Sequence, residues 1–197
     1  MGRGRPRKTD PDIVLDTAMK VFWEKGYDGT SMSDLVTATG MAKPGLYACF
    51  GDKEALYKKA LTNYINTLSS HLLEDLRHSK DPLKTVVRRF FDNVVQSMLD
   101  KNNPCGCFVV NSLIGCASQP PALEKLVRDF DTTRRNAFVL RFEQAQTAGE
   151  LPADVNAKAL GEFFSGQSLA LGVLGRASTD KEAFADFIDV AMTAFPE

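Results

Sequence analysis

The stretch Ser31-Met32-Ser33-Asp34-Leu35-Val36-Thr37-Ala38-Thr39-Gly40-Met41-Ala42-Lys43-Pro44-Gly45-Leu46-Tyr47-Ala48-Cys49-Phe50-Gly51 decides how this chain is read. Ser31 suits the position before a first helical turn, and Asp34 favours the positive start of a helix. Leu35 and Val36 point inward and Gly40 ends the segment, so a short helix is expected here. Lys43-Pro44-Gly45 opens another, because proline is tolerated in a first turn, and Leu46, Tyr47 and Phe50 carry it to Gly51. Only a tight turn fits between the two. An earlier helix over about 12–25 places Ile13, Ala18, Val21 and Phe22 on one face and stops at Gly26. Two short crossed helices held by a third are the geometry that lays a recognition helix in the DNA major groove.

Outward from this unit the pattern stays helical. A long helix over about 52–79 carries the stripe Leu61, Ile65, Leu68, Leu72 and Leu76 and links the first unit to the rest. Asp81-Pro82 starts a helix with Val87, Phe90, Phe91, Val94 and Met98 apolar, broken at Asn102-Asn103-Pro104. A compact apolar helix over 107–117 follows. Gln119-Pro120-Pro121 then precedes a long helix with Leu123, Leu126, Phe130, Ala137 and Phe142, and two last helices span about 155–175 and 180–195. With no period-2 alternation and no internal repeat, the fold class is all-α, nine helices split three plus six.

Composition bounds the function. The chain has 197 residues, 44% of them hydrophobic, enough for a packed core. No run approaches a membrane span, and the basic start is not followed by the apolar run of a secretory signal, so no membrane partner and a cytoplasmic location are expected. Four unevenly placed cysteines argue for reduced thiols rather than a disulfide framework. Net charge is only -1 but is unevenly spread: residues 1–60 hold ten Lys/Arg against eight Asp/Glu, and residues 61–197 fourteen against seventeen. Arg3, Arg5, Arg7 and Lys8 sit together beside the small helical unit, an electrostatic footprint for phosphates.

The second short helix carries matching chemistry. Lys43 offers a cation to phosphate or guanine, Gly45 and Ala48 let the backbone approach DNA, and Tyr47 has a hydroxyl for phosphate or a ring for a thymine methyl. Ser31 and Lys53, each at a helix start, complete the set of expected DNA contacts. Any one of these alone reads as solvated surface; their joint order points to DNA. The segments Gly26-Tyr27-Asp28-Gly29-Thr30-Ser31-Met32-Ser33-Asp34-Leu35 and 40–56 resemble the DNA-binding segment of the tetracycline-repressor (TetR) family, closely over residues 10–57. That resemblance implies a homodimer reading a near-palindromic double-stranded operator, usually as a repressor released by a small-molecule effector. It implies three parts: a basic arm (1–9), a helix-turn-helix domain (10–57) and a ligand-binding and dimerisation domain (58–197). The chain departs from the family pattern at Val36 and Thr39, where small alanines are usual, and at Ala42, where a capping serine is common. Cys49 stands where a His or Tyr often approaches DNA. The arm itself, Gly2-Arg3-Gly4-Arg5-Pro6-Arg7-Lys8, is similar to the Arg-Gly-Arg-Pro core of minor-groove AT-hook segments, with a non-specific basic tail as the alternative.

Gly161, Ser165, Ser168 and Gly172 make one small-residue face on the eighth helix, and Phe184, Phe187, Ile188 and Ala191 an apolar one on the ninth. Together these residues are expected to form a two-fold four-helix interface, against the alternative of packing within one chain. For an apolar or aromatic effector, Phe91, Cys107, Phe108, Asn111, Phe142 and Gln167 are the expected lining. Cys105 and Cys107 allow a thiol sensor near a helix start, with plain packing as the favoured alternative. His71, Glu74 and His78 share a helix face without evident further ligands, so no metal or cofactor is expected. A thiol oxidoreductase would need a Cys-x-x-Cys in a strand-helix context that is absent, so no catalytic residues are expected. A purely architectural DNA-binding protein is the other rival.

Overall fold

The computed structural model describes residues 10–115, 119–178 and 180–196. Every regular element among them is helical: α1 (Pro11–Lys25), α2 (Met32–Thr39), α3 (Lys43–Phe50), α4 (Lys53–Tyr64), α5 (Ser70–His78), α6 (Leu83–Leu99), α7 (Phe108–Ile114), α8 (Pro121–Thr147), α9 (Ala157–Ala177) and α10 (Lys181–Met192). α4 and α5 are halves of one rod, joined by the π-helical turn Ile65–Ser69, so the nine expected helices are present. A π turn inserts a residue into the helical register. Its effect is visible in burial: beyond the turn Leu73 and Leu76 are buried, whereas Leu72 of the expected stripe is only partly covered.

Two apolar cores lie along this rod. The first gathers Val14, Phe22 and Trp23 of α1, Leu35 of α2, Leu46 and Phe50 of α3, and Leu56, Tyr57 and Leu61 of α4. It also takes Phe108 of α7 and Leu123 and Val127 of α8, so the three-helix unit is sealed from outside itself. The expected domain boundary after residue 57 falls inside α4. The second core joins α5, α6, α8, α9 and α10, with the rings of Phe142, Phe164 and Phe195 clustered at centroid separations of 4.8 to 5.7 Å.

The small residues of α9 do a different job from the one expected of them. Gly161 lies so close to α8 that a Cβ there would stand 2.7 Å from the Cα of Val139, and a Cβ on Gly172 would stand 2.7 Å from Val110 Cγ2. Ser165 and Ser168 are buried as well, bonded to Arg134 of α8. Phe184 and Ile188 are buried in the second core, Phe187 is partly covered against it, and Ala191 is buried. Within one chain these residues pack internally: α8 lies against Gly161, and Val110 of α7 lies against Gly172. α9 has a second small and apolar stripe, Phe163, Gly166, Ala170, Val173 and Ala177, and this one is exposed.

Gly161→Ala tests the packing. In an open helix the change would stabilise by about 1 kcal/mol, but here the new methyl meets backbone. We expect a net loss of ~1–3 kcal/mol from overpacking, read as a lower midpoint in urea with an unchanged slope.

Candidate nucleic-acid interface and effector cavity

The start of α2 is pinned by polar groups. The Asp34 amide donates to Ser31 Oγ at 3.1 Å, and the Ser31 amide donates back to Asp34 Oδ2 at 2.8 Å, a reciprocal capping box. Lys25 Nζ, at the end of α1, reaches Asp34 Oδ1 at 2.6 Å and ties the two helices. The Lys25 ammonium, with help from the Ser31 donors, holds the Asp34 carboxyl well below the usual carboxylate range. Leu35 is the buried anchor of α2, and Leu46 and Phe50 anchor α3.

Between the two helices Gly40 adopts a left-handed φ of 66°, which glycine does without penalty. Thr39, where the family pattern has a small residue, closes this turn: its hydroxyl donates to Leu35 O at 2.6 Å and accepts from the Met41 amide at 3.2 Å. Ala42 gives α3 no side-chain cap, and Pro44 removes one of the donors that would need it.

With its inner face fixed by two apolar residues, α3 turns Lys43, Pro44, Tyr47, Ala48 and Cys49 to solvent. Lys43 Nζ lies 5.8 Å from the Tyr47 ring centroid, so cation and hydroxyl share one outward patch. Gly45 is partly covered, and a Cβ there would meet only the flexible Met41 side chain, at 3.0 Å. Ser31 is exposed, though its hydroxyl is engaged in the capping box. Lys53 sits at the start of α4 with its Nζ 4.3 Å from the Tyr27 centroid, and the Asp52 carboxylate there already accepts from the Ala55 amide. A phosphate at this helix start would therefore be met by the Lys53 ammonium rather than by the Ala55 N–H.

Sequence reading missed Lys59. Its Nζ donates to Cys49 O at 3.3 Å and lies 5.5 Å from the Phe50 ring, tying the end of α3 to α4. The expected arm residues Arg3, Arg5, Arg7 and Lys8 lie outside the described residues.

A second site lies beside the rod: a cavity of about 70 Å³ between α4, the π turn, α5, α6, α7, α8 and α9. Apolar walls come from Leu68, Leu72, Phe90, Val94, Val110 and Phe130, and polar groups from Tyr64, Cys107, Arg134 and Ser168, among others. Of the six expected lining residues the cavity takes Cys107 alone. Phe91 and Phe142 are wholly buried in the second core and Phe108 in the first. Asn111 donates to the Trp23 carbonyl at 3.3 Å, and Gln167, partly covered on α9, is not among the lining residues. These side chains were chosen by type, whereas close packing of neighbouring rings decided which of them face empty space.

The Tyr64 hydroxyl donates to Cys107 Sγ at 3.3 Å, and burial pushes the Tyr64 phenol well above its ordinary range. Cys105 is exposed and apart from the cavity wall. Among the described residues no three His, Cys, Asp or Glu side chains converge as metal ligands, and no helix is long and apolar enough to cross a membrane.

These features have counterparts. Residues 14–60 match the family described as "Bacterial regulatory proteins, tetR family", and residues 84–191 match "Tetracyclin repressor-like, C-terminal domain". The HTH-type transcriptional repressor ComR of Escherichia coli (strain K12) is 28% identical over 195 residues, 99% of this chain and 93% of its own. A solved structure of a cysteine-substituted TetR family regulator, CifR, complexed with 26 bp double-strand operator DNA superposes with a TM-score of 0.86. It is 27% identical and is covered over 98% of this chain and 100% of its own. AibR, solved with isovaleryl coenzyme A and operator DNA, shares the fold at a TM-score of 0.72 and 18% identity, over 94% of this chain and 97% of its own.

The capping box makes a pH prediction. Because the folded Asp34 carboxyl is more acidic than an unfolded one, its contribution is fully present above about pH 4 and is lost as pH falls through the lower folded value. Asp34→Asn should therefore melt below the parent at pH 7, and the gap should narrow steadily in melts run below about pH 4. A gap unchanged down to pH 2 would show that the charge does not matter.

Proposed function

The chain belongs to the TetR family of bacterial regulatory proteins and is a DNA-binding transcriptional regulator, and from that premise we propose that it acts as a homodimeric repressor, released from a near-palindromic operator when a small molecule fills the cavity beside the rod. The observation that carries this reading is α3, whose buried Leu46 and Phe50 hold an outward face of Lys43, Tyr47 and Ala48 on a rigid base. Small residues on that face allow close approach to a groove, and the cation and hydroxyl suit phosphate and base edges. The basic arm (1–9) adds sequence-independent attraction, and a regulator that reads chromosomal DNA works in the cytoplasm.

Two copies are supported by the exposed stripe on α9, where Phe163 and Val173 are 39% and 47% exposed, and by Val190 of α10, 71% exposed. A groove lined by Leu160 and Phe163 of α9, with Ala194 and Pro196 beyond the end of α10, extends the apolar surface beside Phe163. A patch of this kind marks a protein interface, and a two-fold pairing through it presents two α3 helices to successive major-groove half-sites.

Release follows from the rod. α4 is packed into the first core by Leu56, Tyr57 and Leu61, and further along the same rod Tyr64, Leu68, Ser69 and Leu72 line the cavity. A ligand that fits the cavity only when the rod shifts will favour the arrangement in which the two α3 helices no longer match operator spacing. Cys107 enters this reading as a wall residue, with no thiol chemistry required.

On an operator selected from random duplexes, Lys43→Ala should weaken binding at least about tenfold and lower the salt slope by about two, one phosphate contact per protomer. Deleting residues 2–8 should also weaken binding and flatten the salt dependence. Equal binding of selected and unrelated duplexes by the parent would point instead to an architectural protein. For the dimer, Val190→Lys with Phe163→Asp should give a folded monomer by sedimentation at micromolar concentration; a dimer that persists would place the interface elsewhere.

A further inference from the structure

Among the described residues, Arg134 of α8 is the only charged residue lining the cavity, and it is 7% exposed. A guanidinium cannot shed its proton to escape burial as a lysine can, so its surroundings must compensate for lost hydration. Nη1 donates to the Ser165 carbonyl, to Ser165 Oγ at 2.8 Å and to Ser168 Oγ, all neutral acceptors. Nη2 meets the Asp131 carboxylate, which is more exposed than Arg134. Nε is buried and has no acceptor among the described residues. The other buried arginine of α8, Arg141, also has an idle Nε, but it bonds Glu150 and the Asp81 carbonyl and lines no part of the cavity. Among the described residues, Arg134 alone combines a buried cation, an unused donor and a cavity.

The rest of the wall selects the remainder of a guest. Most of it is apolar, from Leu68, Leu72, Phe90, Val94, Val110 and Phe130, with the neutral side chains of Ser69 and Ser97 beside them, and the Tyr64 hydroxyl donates to Cys107 Sγ. Resting on the reading of this cavity as the effector site, we propose that the effector is a carboxylic acid with an apolar body, its carboxylate accepting from Arg134 and its hydrocarbon lying among these side chains. A carboxylate is the acceptor that a guanidinium fork matches best. The cavity, about 70 Å³, is less than half the ~150 Å³ of an apolar cavity that takes benzene. A whole acid is therefore seated only with outward movement of a wall, and one wall is the π turn, through Leu68 and Ser69. The charged head thus selects the ligand, while its body displaces the rod.

The test uses the full-length protein and calorimetric titration at pH 7 with matched probes: octanoate and phenylacetate, their alcohols 1-octanol and 2-phenylethanol, and octylamine. The expected result is at least tenfold tighter binding of one or both acids than of the matching alcohol, with octylamine weakest. Which acid wins separates an aliphatic from an aromatic body. Arg134→Met should erase the preference and Arg134→Lys should keep part of it, with helicity by circular dichroism and mass by light scattering as checks of folding. Should Arg134→Met fail to fold, the acid-to-alcohol ratio in the parent and in Arg134→Lys decides.

Alcohols that bind the parent as well as the acids overturn the acid class and leave the cavity as an effector site. An acid preference that survives in folded Arg134→Met overturns the role of Arg134. Binding of none of the probes overturns the acid class and the effector reading of the cavity together. Acids that bind through Arg134 without releasing the selected duplex uphold the acid site and overturn its role as the effector site.

Discussion

Phe108 belongs to α7, yet its ring sits wholly buried in the core of the N-terminal three-helix unit, 5.5 Å from Tyr57, 5.7 Å from Tyr64 and stacked 6.4 Å from Trp23. A unit of three short helices has too little apolar area to close a core alone. Burial of one phenylalanine contributes about 2–3 kcal/mol, and the Tyr57 hydroxyl bonded to Ser112 Oγ at 2.7 Å adds a polar tie to the same helix. The DNA-reading unit is thus held in its geometry by a residue of the larger unit. Arg176 at the end of α9 makes a further link, donating to the Glu24 carbonyl at 3.2 Å.

The same contacts connect the first core to the cavity. Tyr64 belongs to the first core and also lines the cavity, as does Val109, the neighbour of Phe108. What bounds the cavity on one side is what seals the first core on the other. Interiors packed to crystal density pass displacement along rather than absorb it. The rod, interrupted in helical register at the π turn beside the cavity, has a place where a displacement can be taken up or released.

Arg134 illustrates a signal that was present but unread. Along α8 the buried positions Val127, Arg134, Phe138, Arg141 and Ala145 recur at helical spacing, so both arginines lie on the inward stripe. Charge type suggested solvent; position implied burial. The π turn left no such trace, because the spacing of Leu61, Ile65, Leu68, Leu72 and Leu76 is regular and only packing against α6 and α8 shows that the register has shifted. Thr39 bonds only to groups two and four residues away, whereas the partner of Lys59 is known only once α3 and α4 are juxtaposed.

What the amino-acid order determined alone is the run of helices, their stops and the outward chemistry of α3. Ser31, Gly40, Pro44 and Gly51 act on backbone groups within a few residues of themselves, where no distant partner has a say. Only the tertiary structure decided which of two small-residue faces of α9 is buried, what seals the first core and which side chains meet empty space. α9 offers Gly161, Ser165, Ser168 and Gly172 on one side and Phe163, Gly166, Ala170 and Val173 on another, at equally good helical spacing. The choice between them rests on the shape of α8, with Val139 fitted against Gly161, and shape complementarity between surfaces far apart in the chain has no local signature.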